Sequence, residues 1–257
     1  MFDWFYVADF TVLYPLIIVL IAGAVEVGAW LGQRSRRIDD DAPDIATLTG
    51  AALGLLALLL AFSFSLALSR YETRYQWVLQ EANAIGSTAN FALMLPEASQ
   101  KPILALLRDY TAVRIGLGIP DDPAKLARDV ARTIELQSRL WQQAVTVTAA
   151  APQSLPAYRF VASLNEMNNI HESRLTALRY RVPGAVIFLL VLVAMVATGF
   201  TGYYAGARGT HGRMATILMS LTIAVVIMLV VDLDRPERGL IQVPVQPLID
   251  AQQGIPP

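Results

Sequence analysis

The sequence predicts an all-α fold of four transmembrane helices in two pairs, with a helical extramembrane domain inserted between the pairs. Three observations predict it. Of 257 residues, 55% are hydrophobic and only 16% charged, where a soluble domain carries about 25% charged residues. Four stretches approach the roughly 20 apolar residues needed to cross about 30 Å of hydrocarbon. Between the second and third, the chain turns polar but keeps apolar residues at helical spacing. The net charge of -1 leaves no basic stripe for nucleic acid. With no cysteine in the chain, disulfides, thiolate metal sites and a cysteine nucleophile are excluded.

The spans are expected at Val12–Leu31, Leu48–Leu68, Pro183–Ala205 and Ala215–Val231. The first reads as a retained anchor, because Asp3 and Asp9 precede it and Arg34, Arg36 and Arg37 follow it. Trp4, Phe5, Tyr6, Trp30, Tyr203 and Tyr204 stand near span ends, at headgroup level. The chain thus divides into residues 1–69 (spans one and two), 70–182 (the helical domain), 183–231 (spans three and four) and 232–257 (an extended C-terminal clamp). Orientation is not set by arginines: Arg70, Arg74, Arg179, Arg181, Arg235 and Arg238 flank one side, and Arg34, Arg36, Arg37, Arg208 and Arg213 the other. The first span alone favours an outside N-terminus.

The second span is expected to continue into the domain. Tyr71, Tyr75, Val78, Ala82, Ile85, Ala89 and Ala92 form one apolar stripe, with Glu81 among the polar residues of the other face, and Pro96 ends the helix. A second domain helix is expected from Pro102 to Leu117, with Leu104, Leu107 and Tyr110 inward. A third starts at Pro123 behind an Asp122 N-cap and aligns Leu126, Val130, Ile134, Trp141 and Val145. A fourth begins with Ser154 as cap and carries Phe160, Leu164, Met167 and Leu178; Pro183 marks a kink or restart before span three.

No phosphate loop, nucleophile elbow or dinucleotide fingerprint occurs, so no enzyme, catalytic residue, metal or cofactor is expected. His171 has no second ligand on its helix face and reads as solvated or at a subunit contact; His211 lies in a Gly-rich turn. Gly202-x-x-x-Gly206 reads as helix packing. Glu26 is the one carboxylate within the apolar runs, either snorkelling or facing a polar path. Gly50, Gly54, Ala57, Ala61 and Ser65 give one side of span two only small residues, with Ser63 and Ser69 as further hydroxyls and Phe62 and Phe64 beside them. Close helix packing is the plainer reading; a pore-lining helix is the other. After span four, Asp232 and Asp234 meet the negative end of a helix dipole and need partners. Arg235, Arg238, Arg70, Arg74, Arg179 and Arg181 are available, and Leu240–Leu248 reads as an extended segment.

Two passages carry a resemblance. Ala61-Phe62-Ser63-Phe64-Ser65, running into Ser69-Arg70-Tyr71-Glu72-Thr73-Arg74 and Glu81-Ala82-Asn83-Ala84-Ile85-Gly86, and the tail Asp232-Leu233-Asp234-Arg235-Pro236 with Arg238-Gly239-Leu240-Ile241, resemble the bestrophin-like family of bacterial membrane proteins. More distantly the chain resembles bestrophins, pentameric anion channels whose second helix lines the pore. That resemblance implies a homo-oligomer in a bacterial inner membrane, with the central domain cytoplasmic, ions and the lipid bilayer as partners, and no nucleic acid. It makes Phe62 and Phe64 neck candidates and Ser63, Ser65 and Ser69 pore hydroxyls. The sequence departs from the animal channels in its short tail and in the lack of an acidic cluster like their calcium clasp, so calcium gating is not implied. The competing reading is a non-conducting scaffold or stress sensor that binds a partner through residues 70–182.

Overall fold

The structure, a computed structural model, describes residues 10–35, 42–117, 123–209, 213–235 and 240–257. Every regular element among them is an α-helix: α1 Phe10–Arg34, α2 Ala42–Ala92, α3 Glu97–Gly116, α4 Pro123–Ala150, α5 Leu155–Arg179, α6 Gly184–Arg208, α7 Arg213–Leu233 and α8 Gln246–Gln253. Four stretches are long and apolar enough to cross a membrane: Thr11–Arg34, Ile45–Ala92, Leu155–Arg208 and Met214–Leu233. Helix α2 runs unbroken for 51 residues, about 75 Å at 1.5 Å per residue, so it is far longer than a bilayer requires.

One compact unit comprises residues 1–69 and 181–241. Here α1 packs against α6 and α7, and α6 against α7. The α1–α6 contact is made by backbone. A Cβ on Gly28 would clash with the Gly199 carbonyl oxygen, and one on Gly202 with that of Val25. Gly32 and Gly206 are equally tight, against Tyr203 and Ala29. Gly202-x-x-x-Gly206 is therefore a packing motif, and its counterpart is Gly28-x-x-x-Gly32 on α1. Without a hydrophobic force between helices in lipid, this close approach is what holds the pair. Hydroxyls in these helices donate to their own backbone, as Thr198 does to Ala194 at 2.7 Å and Ser220 to Thr216 at 2.8 Å. A membrane segment must satisfy its polar groups internally. Gly209, at φ 63, closes α6 in the left-handed conformation that glycine adopts without a Cβ penalty.

The second unit comprises residues 70–180 and 242–257. Helix α3 packs on α4 and α8, and α4 on α5. The predicted α2 stripe is its core: Val78, Ala82, Ile85, Ala89 and Ala92 are buried with Leu104, Leu107, Tyr110, Phe160, Leu164 and Met167. Ser154 caps α5 by accepting from the Ala157 amide at 3.3 Å. The α5 helix ends at Arg179 and α6 restarts at Gly184, behind Pro183.

Four expectations need correction. Helix α3 starts at Glu97, with Pro102 inside it. Only one intrahelical donor is lost at Pro102, so the proline does not mark a start. The extended tail contains a helix, α8, with Pro247 in its first turn, where a missing N–H costs nothing. Its Leu248 joins the core of the second unit. On α4 the buried side is Leu136, Leu140, Ala144 and Val147; Ile134, Trp141 and Val145 are exposed at 55, 42 and 57%. The helix carries two apolar stripes; of the one that periodicity picked, Leu126 and Val130 are half-buried and the rest is left uncovered. Finally, Glu81 is not on a solvated face but wholly buried.

Candidate functional site

Within the first unit, α2 turns an exposed side outward. Gly50 and Gly54 have nothing within 4 Å of a Cβ position, so small residues there do not serve packing within one chain. Ala57, Ala61, Ser65 and Ser69 are exposed, and Phe62 is 66% exposed. At about 100° per residue, Phe62, Ser65 and Ser69 share this side. Ser63 points the other way and is buried, while Phe64, about 200° round from Phe62, is half-buried. The five pore candidates therefore do not share one face.

The charged candidates belong to both units. Arg70 and Arg74, at the start of the second unit, engage the end of α5. Arg74 Nη2 donates to the Tyr180 carbonyl at 3.0 Å and its Nε to that of Ala177 at 3.4 Å, which satisfies carbonyls a helix terminus leaves open. The Arg70 guanidinium lies 5.5 Å above the Tyr180 ring. In the first unit, Asp232 accepts from the Tyr14 hydroxyl at 2.5 Å and from the amides of Leu240 and Ile241, both at 2.8 Å. Asp234 accepts from the Val182 amide at 2.7 Å. Both carboxylates and Arg235 are buried. Arg238 and His211 lie outside the described residues.

Sequence reading missed a further group. In the second unit the Glu81 carboxylate of α2 is held by Arg114 of α3, Nε to Oε1 at 2.5 Å, and by Arg174 of α5, Nη1 to Oε2 at 2.5 Å. The Tyr110 hydroxyl donates to Oε1 at 3.2 Å. Burial raises the Glu81 pKa, but the two guanidiniums outweigh it and hold the carboxyl below its usual range. His171, expected to be solvated or at a subunit contact, is buried within the chain beside this cluster, with neither ring nitrogen hydrogen-bonded. Burial first, then the charge of Arg114, lowers its pKa to about 4, so it is neutral. The missed signal was register. Glu81 falls between Val78 and Ile85, Arg114 follows Leu107 and Tyr110, and Arg174 follows Met167 and Ile170, each at core spacing. Among the described residues no group of three His, Asp or Glu side chains is placed to hold a metal ion.

A family model for the bestrophin-like domain matches residues 19–248. The chain belongs to the bestrophin-like family. The solved structures it resembles include a bacterial bestrophin homologue from Klebsiella pneumoniae, an aspartate-to-alanine variant. That match has 14% identity over 94% of this chain and 96% of the other, with a TM-score of 0.70. A leucine-to-alanine variant of a membrane protein matches with a TM-score of 0.71, at 14% identity over 93% and 96% of the two chains. A leucine-to-threonine variant of the Klebsiella pneumoniae homologue matches at 15% identity over 94% and 96%, with a TM-score of 0.67. At such identities the likeness is one of fold. None of the curated proteins matches. This bestrophin-like chain thus has a bestrophin fold, with α2 as its longest helix.

Proposed function

We propose that this bestrophin-like chain assembles into a ring and passes anions or small ions along the outward side of α2. The observation that carries the reading is the exposed strip from Gly50 to Ser69, where small residues and the hydroxyls of Ser65 and Ser69 accompany Phe62. Small residues and hydroxyls on the exposed side of a membrane helix leave room for a water-filled path, and a large apolar ring can close such a path by dewetting. Phe62 is the neck residue of this reading and Ser65 and Ser69 its lining hydroxyls; Ser63 and Phe64 hold the helix against its neighbours. Self-association has independent support in the exposed Ile134, Trp141 and Val145 of α4, because an apolar stripe facing water marks an interaction surface. The number of subunits this reading favours is five, by likeness to bestrophins. The same likeness puts the chain in a bacterial inner membrane with residues 70–182 in the cytoplasm.

Purified protein in liposomes tests this directly. Flux of chloride or a small cation, altered when Phe62 becomes alanine, supports it. A tight bilayer around a well-assembled ring sinks it and favours the scaffold or sensor that recruits a partner.

A further inference from the structure

The glycine contacts that weld α1 to α6 are confined to one end of the pair. Gly28 and Gly32 touch backbone, whereas Gly23, less than two turns earlier, has nothing within 4 Å. Between the two helices this leaves a groove of about 670 Å³ that includes Val27, Leu31, Val196, Phe200 and Tyr203 in its walls. That volume falls within the roughly 300–1,000 Å³ of pockets that enclose small organic ligands. Its walls are apolar except for the Tyr203 hydroxyl. In a bilayer such a groove does not stay empty, since a void forfeits the dispersion contacts of its lining.

One end of the groove is marked by charge. Arg34 follows Leu31 by three residues, which puts it on the same side of α1, and its guanidinium lies 5.5 Å above the Trp30 ring. The two helices run parallel, as the pairing of Val25 with Gly202 and Ala29 with Gly206 requires. Arg208 therefore closes α6 at this same end, its guanidinium 4.7 Å above the Tyr204 ring. Two exposed cations and a band of aromatic rings thus stand at the end of the helix pair towards which the apolar slot runs. That is the pattern of a phosphate with its acyl chain: arginine pairs with phosphate oxygens, aromatic rings sit at headgroup level, and basic residues between membrane helices attract anionic lipids.

We propose that the α1–α6 groove is a binding site for a phospholipid with an anionic headgroup, its acyl chain along Gly23 and Val27 and its phosphate at Arg34 and Arg208. A passing helix of a second copy would also fill an apolar slot, but it would not use the two guanidiniums. The site does not depend on whether the protein conducts.

Native mass spectrometry of the full-length protein tests it, with phosphatidylglycerol and phosphatidylcholine of identical acyl chains added in turn. The intact protein retains phosphatidylglycerol severalfold more than phosphatidylcholine. Arg34→Gln with Arg208→Gln removes that preference, and Gly23→Leu, which fills open space, lowers retention of both lipids. Equal retention of the two lipids by the unaltered protein overturns the proposal. So does a preference that survives the double substitution, or a Gly23→Leu protein that changes its subunit count while binding lipid as before.

Discussion

Arg174 Nη1 lies 2.5 Å from Glu81 Oε2, so a charge on α5 is tied to a charge on the helix that also crosses the membrane. Both side chains are buried, and Arg114 holds the other carboxylate oxygen. Buried ion pairs of this kind add little net stability when intact, but removing one partner strands the others in a low dielectric. Glu81→Gln should therefore cost about 3–5 kcal/mol, read as a lower unfolding temperature in detergent. A change under 1 kcal/mol, by the same reasoning about stranded charge, would mean the arginines find other partners.

Acid should act on this cluster in two windows. The folded pKa of His171, about 4, is below the ordinary histidine value of about 6.5, so the unfolded chain takes up a proton that the folded chain refuses. Stability then falls as pH drops from about 6.5 towards 4. Glu81 is also depressed, so its contribution is present above the unfolded carboxylate pKa and is lost only as pH falls through the lower folded value. His171→Gln should flatten the first window and leave the second. Unfolding temperature against pH for the two proteins checks this.

At the end of α7, Tyr14→Phe removes one of three donors to Asp232 and leaves the two amides. A hydrogen bond to a charged group contributes about 1.5–3 kcal/mol, and the loss should appear as a lower unfolding temperature. Asp232→Ala should cost more, because it leaves the Leu240 and Ile241 amides without their acceptor. Equal unfolding temperatures for both variants and the parent would contradict the clamp.

The glycine weld predicts a sharp contrast along one helix. Gly28→Ala drives a Cβ into the Gly199 carbonyl, whereas Gly23→Ala meets open space. The first should destabilise by about 1–3 kcal/mol or more through overpacking, and the second should be neutral or stabilising through helix propensity. Unfolding temperatures of the two variants decide it.

How much of this was legible beforehand depended on the kind of signal. Length and apolarity give the four spans, and the Val78–Ala92 stripe gives the continuation of α2, because burial of an amphipathic face repeats along a helix. The α4 face was misread because Ile134, Trp141 and Val145 are as apolar as Leu136, Leu140 and Val147; only the partner decides which stripe is covered. Glu81, Arg114 and Arg174 were hidden because each is polar by type and buried by register. Their mutual neutralisation exists only once α2, α3 and α5 are brought together. The same limit applied to span two, where composition gave small residues and hydroxyls but not which of them share a side.

The central claim, that the outward side of α2 lines an ion path, has a direct test because the chain contains no cysteine. Single cysteines at Phe62, Ser63, Ser65 and Ser69 can be treated with a charged thiol reagent while flux through liposomes is followed. The account predicts block at Phe62→Cys, Ser65→Cys and Ser69→Cys, with Ser63→Cys protected. Flux unaffected at the first three positions, or block confined to Ser63→Cys, would contradict it.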